Sequence, residues 1–179
     1  MANALVPLAE GFEELEAVTI VDILRRGGVT VTVAGLSAQR VRGSHDIWIE
    51  ADVLLDAAVK SSFDAVVLPG GTQGAQRLRE DPRVLGLVRD FAAAGKLTAA
   101  VCAAPTVLET AGILQGKRAT SYPGNALPSA HYEEARVVED GQVITSRGPG
   151  TAIEFALTVV ARLVNQDTAD KVRRAMLVQ

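Results

Sequence analysis

Cys102 is the only cysteine among 179 residues, and it lies in a run of small side chains, "LTAAVCAAPT" at 97–106. An unpaired cysteine commonly serves as a small buried hydrophobe, and that plain reading stands beside a chemical one. Position argues for chemistry. The apolar run before Cys102 reads as a strand and Pro105 marks the first turn of a helix. The thiol then occupies a strand-to-helix elbow, facing the backbone N–H groups that a helix start leaves unpaired. Such groups favour an anion and lower a thiol from about 8.5 by one to several pH units, which predicts a thiolate at neutral pH. Ala103 and Ala104 suit the crowding of a nucleophile turn.

Two further turns follow strand-like runs, "LPGGTQG" at 68–74 and "AEGFEELE" at 9–16. The first lacks both the Lys-Ser/Thr ending of a phosphate loop and the spacing of a dinucleotide fingerprint. Gly70 and Gly71 read either as a tight turn or as residues that bring backbone N–H groups up to a reacting carbonyl. With the N–H of Ala103 they would then form an oxyanion hole. In the second turn, Glu13 and Glu14 read as first-turn acids favoured by the helix dipole. Glu16, between Leu15 and Ala17, is expected at the edge of the buried face, where burial and a neighbouring thiolate raise its pKa and make it a proton carrier. His45 and His131 read as surface residues, and two histidines with one cysteine in no ligand spacing predict no metal site.

These turns need a scaffold. Hydrophobic residues make up 48% of the chain but only seven are aromatic, so the core is one of Ala, Val, Leu and Ile, suited to helices packed on a buried sheet. The length predicts one domain over 1–179. A net charge of -3 and a pI near 5.4 offer no footprint for nucleic acid, and no apolar run is long enough for a membrane span. One cysteine forbids an internal disulfide, and early carboxylates rule against a signal peptide, so a cytoplasmic location is expected.

Strand-like runs at 4–9, 29–35, 63–71, 96–102 and 142–148 alternate with helical ones. The first helix carries a stripe of Leu15, Val18, Val21 and Leu24 and closes at Gly27 and Gly28. Ile47 and Ile49 alternate with Trp48 and Glu50 in a short hairpin. Asp81 caps a helix with Pro82 at its first position, ending at Gly95. The segment 104–114 reads as a helix, another carries a stripe of Ile153, Leu157, Val160 and Val164, and a terminal helix starts at about Thr168. Strands apolar on both faces and separated by helices predict an α/β/α sandwich with a mainly parallel, doubly wound sheet. In that architecture functional groups gather beyond the strands' carboxyl ends, where the strand order reverses.

With "EGFEELEAVTIVDILRRGGVTVTVAGL", "DAVVLPGGTQGAQRLRED", "AAVCAAPTVL" and "TSRGPGTAIEFAL" in this order, the chain resembles the ThiJ/PfpI superfamily, within it the branch of Parkinson-disease-associated deglycases and redox chaperones. The resemblance implies a single flavodoxin-like domain and a homodimer, with Cys102 as nucleophile, Glu16 as its protonated partner, and Gly71 and Ala103 as backbone donors. It implies cofactor-independent detoxification of reactive carbonyls such as methylglyoxal, or of the adducts they form on protein amines and thiols, in stress defence. The alternative it implies is a redox sensor or stress chaperone in which Cys102 is oxidised to a sulfinic acid. Where many relatives place a histidine, "TSYPG" has Tyr122, which would orient substrate or water. Where the protease-like branch has a histidine after the cysteine, this chain has Ala103, so peptidase activity is not expected. His45 falls at a position from which relatives reach the partner subunit's site.

Overall fold

A computed structural model describes all 179 residues. In chain order the elements are β1 (Asn3–Leu8), α1 (Glu14–Arg26), β2 (Thr30–Gly35), β3 (Arg40–Arg42), β4 (Trp48–Glu50), β5 (Val53–Leu54), α2 (Leu55–Ala58), β6 (Ala65–Leu68), α3 (Thr72–Glu80) and α4 (Pro82–Ala93). They continue with β7 (Leu97–Val101), α5 (Pro105–Ala111), β8 (Arg118–Ala119), β9 (His131–Tyr132), β10 (Val137–Asp140), β11 (Val143–Ser146), a 3-10 turn (Pro149–Thr151), α6 (Ala152–Leu163) and α7 (Gln166–Ala175).

The main sheet has the order β10-β11-β7-β6-β1-β2-β5, and every neighbouring pair is parallel except the edge pair β10–β11. From β1 the chain builds outward through β2 to β5, then returns to β6 on the other side of β1 and continues through β7 to β11. The order therefore reverses between β1 and β6, and the carboxyl ends of β1, β6 and β7 lie next to each other there. Helices α1, α6 and α7 cover one face, and α3, α4 and α5 the other. Strands β6, β7 and β11 are buried at every residue, as a doubly covered parallel sheet requires.

The flavodoxin-like α/β/α sandwich predicted by the sequence is the fold observed, with three local differences. In α1, Leu15 and Val18 are half exposed, while Glu16, Ala17, Ile20, Ile23 and Leu24 turn inward. A constant step of three residues falls short of a full helical turn and drifts off the face. The pattern i, i+1, i+4, i+7, i+8 stays on it. The stripe of α6 keeps to one face but is buried only in its middle: Leu157 and Val160 are buried with Phe155, Ala156 and Val159, whereas Ile153 in the first turn and Val164 at the C-cap are partly exposed. The turn read over 68–74 is shorter than that, since α3 begins at Thr72 directly after Gly71. Among polar neighbours, α3 has only Ala75 and Leu78 as buried apolar side chains, too few to mark a helix by an apolar stripe. No helix is long and apolar enough to cross a membrane.

Candidate active site around Cys102

Strand β7 ends at Val101 and α5 starts at Pro105, so Cys102 stands at the elbow between them. Its N–H donates to Ser146 O of the adjoining β11 at 3.0 Å, and its carbonyl accepts from Tyr122 N at 2.8 Å. Held from both sides, the residue adopts φ +64°, left-handed backbone that costs a non-glycine residue about 1–3 kcal/mol and persists where surrounding structure imposes it. Asp46 and Leu177 are the other non-glycine residues with positive φ, and Asp46 lines the same pocket as Cys102.

Glu16 was expected at the edge of the buried face and is fully enclosed. Its Oε2 accepts the Gly70 N–H at 2.7 Å, and its Oε1 has no oxygen or nitrogen partner. Gly70 has to be glycine because a β-carbon there would stand 2.7 Å from Cys102 Cβ and 2.8 Å from Glu16 Oε2. That packing corrects the expected role of Gly70: its N–H is committed to Glu16 and does not face a substrate. The N–H groups of Gly71 and Ala103, in contrast, donate to no protein oxygen and both favour ionisation of the Cys102 thiol. Gly71 takes φ +92°, and a β-carbon there would collide with the backbone of Gly11 and Glu13.

Burial raises the Glu16 carboxyl to about 7, against the Gly70 hydrogen bond that favours its anion. Cys102 is pushed up to about 12, first by its own burial and then by the charge of Glu16, which outweigh the Gly71 and Ala103 N–H groups. That direction is opposite to the lowering expected from a helix start. With only seven residues, α5 has a weak terminal field, and a buried carboxylate opposes it. Two acids this close lose their protons as a pair. Between about 7 and about 12 the site holds one negative charge and one proton.

A pocket of about 530 Å³ opens over the thiol, with walls from Glu13, Arg42, His45, Gly71, Tyr122 and Asn125 among others. Tyr122, half exposed, packs its ring on Gly148. His45 is exposed yet lines this pocket, whereas His131 in β9 does not. Glu14 departs most from the helix-dipole reading. It is buried, and its carboxylate accepts from Ser44 Oγ and from the N–H and Nδ1 of His45. Glu14 and His45 lie 31 residues apart, and no sequence spacing pairs them. The one local signal is Gly43, whose missing β-carbon leaves the room that the Glu14 carboxylate fills.

A doubly wound sheet with a cysteine on a positive-φ elbow beside a buried carboxyl defines a cysteine-centred protein of the flavodoxin-like class. Residues 2–162 match the DJ-1/PfpI family, to which the chain belongs. It is similar to the Parkinson disease protein 7 homolog of Danio rerio, at 45% identity over 99% of this chain and 97% of that one. It is likewise similar to the glutathione-independent glyoxalase DJR-1.2 of Caenorhabditis elegans, at 37% identity over 90% and 88% of the two chains. The crystal structure of Drosophila melanogaster DJ-1beta superposes with a TM-score of 0.96 at 43% identity, covering 99% of this chain and 98% of that one.

Proposed function

We propose that the chain is a cysteine-dependent enzyme of stress defence that detoxifies small reactive carbonyls, methylglyoxal first, or the adducts they leave on proteins and thiols, without an organic cofactor. The observation that carries this reading is the Cys102 thiol on a positive-φ elbow, hydrogen-bonded to the buried Glu16 carboxyl and lining a small pocket with Gly71 and Ala103. Cys102 sulfur bonds to the aldehyde carbon while the aldehyde oxygen takes the one proton that the thiol and Glu16 share, giving a hemithioacetal. Glu16, now a carboxylate, takes the C1 proton and returns it to C2 while the hydroxyl proton passes from the C1 oxygen to the C2 oxygen, converting the adduct to a lactoyl thioester. Water cleaves the C–S bond, releasing lactate and restoring the thiol. Backbone N–H groups of Gly71 and Ala103 suit the charge that develops in these steps, and Tyr122, in the pocket wall, is the residue we assign to orienting substrate or water.

The same donors and a protonated Glu16 would equally hold a sulfinate, which supports redox sensing through Cys102 as the second reading. One comparison separates them. Lactate formed from methylglyoxal without glutathione supports the enzyme, whereas no lactate, together with a two-oxygen mass gain at Cys102 under mild peroxide, overturns it in favour of the sensor.

We further infer a single-domain protein that acts as a homodimer in the cytoplasm, a reducing compartment that keeps a lone thiol unpaired. Leu15 and Val18 on the outer face of α1 and Ile47 of the hairpin are each about half exposed, apolar residues of the sort that pair copies of a chain. Val18→Asp is expected to shift the mass in light scattering from two chains to one. A monomeric wild type contradicts the inference.

A further inference from the structure

Glu14 is a second buried carboxylate beside the pocket, 5% exposed, and the chemistry of Cys102 leaves it unused. Its oxygens accept from the His45 N–H at 2.5 Å, from His45 Nδ1 at 3.0 Å and from Ser44 Oγ at 3.1 Å. Burial raises Glu14, but the hydrogen bonds from His45 and Ser44 outweigh it and bring the carboxyl down to about 2, so it is an anion at every working pH. An anion on Nδ1 fixes the imidazole tautomer: Nδ1 carries the hydrogen and Nε2 is left as the acceptor. His45 is the one imidazole lining the pocket that Cys102 lines. The other charged groups facing it are Glu13, with Oε1 4.0 Å from Nδ1, and Asp46, which is itself bonded to Arg42 Nε at 2.8 Å. All three carboxylates favour the imidazolium, so His45 works as a base only above its raised pKa.

We propose that Glu14 and His45 form a carboxylate–imidazole pair that activates the water which releases product from Cys102, with Glu14 as the positioning residue. The inference rests on the thioester chemistry proposed above. His45 Nε2 removes a proton from water as the water oxygen bonds to the thioester carbon. The C–S bond breaks and sulfur leaves with the electron pair, beside a Glu16 carboxylate whose proton went to the substrate in the first step. The proton on His45 passes through solvent to the thiolate–Glu16 pair, restoring its one shared proton, and the acid product departs. The exposed position of His45 suits this step, because the water comes from solvent while Glu16 is sealed beneath the thiol.

The test uses p-nitrophenyl acetate as probe in a stopped-flow instrument. Its burst of p-nitrophenolate reports acylation of Cys102, and the steady rate that follows reports hydrolysis. His45→Asn is expected to keep the burst and slow the steady rate by about 10²-fold. Glu14→Gln retains an oxygen for the His45 backbone and is expected to move the midpoint of the steady-rate pH profile to lower pH, because the charge that raised His45 is gone. An unchanged steady rate in His45→Asn with an intact burst overturns the inference alone. A rate loss in Glu14→Gln that is uniform across pH overturns the positioning role. A wild type without a Cys102-dependent burst overturns the nucleophile itself, and this inference with it.

Discussion

Glu16→Gln is expected to lower methylglyoxal turnover by about 10²-fold or more, the scale of a lost proton carrier, and at the same time to make the protein more stable than wild type above neutrality. The two effects have one cause. Burial holds the folded carboxyl near 7 against 4.5 for the free group. Below pH 4.5 both states keep the proton and the group is neutral to stability. Between 4.5 and 7 the unfolded chain gives up its proton while the native state retains it, so native stability falls as pH rises and levels off once the folded carboxyl has ionised. The fall amounts to about 3 kcal/mol at 1.36 kcal/mol per pH unit. Glutamine has no proton to lose. Urea unfolding at pH 5, where the fall has already begun, and at pH 8 should show the stability difference between variant and wild type widening by most of that amount. A difference independent of pH contradicts a buried, raised Glu16.

Cys102→Ser should remove turnover by about 10³-fold or more while leaving the circular dichroism spectrum unchanged. The serine hydroxyl fits the same elbow, and the hydrogen bonds to Ser146 and Tyr122 come from the backbone, so the fold has no reason to respond. A hydroxyl is a far weaker acid than a thiol, and the pair that shares one proton is lost. Serine retaining more than a few per cent of wild-type lactate production would mean that Cys102 does not form the covalent bond.

The sequence discloses this site unevenly. Strands β6 and β7 are continuous apolar runs ending in "LPGG" and "VCAAP", so the carboxyl-end turns and the elbow are legible without coordinates. Glu16 is legible as an acid interrupting an apolar helix, although its complete burial depends on β6 delivering the Gly70 N–H from 54 residues away. The sign of the Cys102 shift is not legible. A helix start and a buried carboxylate pull in opposite directions, and the distance between thiol and carboxyl decides the outcome. Glu14 is hidden for a related reason: beside Glu13 it looks like another first-turn acid, and its partner sits in a hairpin whose docking no local pattern encodes. Leu15 and Val18 mislead in the opposite sense, being apolar residues that face outward.

The central claim is that Cys102 bonds covalently to a carbonyl substrate while Glu16 moves the proton. Rapid quenching of Glu16→Gln with methylglyoxal, followed by tryptic mass mapping, tests it most directly, because blocking the proton transfer should allow the first adduct to accumulate. The expected result is a mass gain of one methylglyoxal on the peptide 97–117, which carries Cys102, and no gain there in the Cys102→Ser protein. Adducts confined to lysine and arginine peptides, with the 97–117 peptide unmodified while wild-type enzyme makes lactate, would contradict the account.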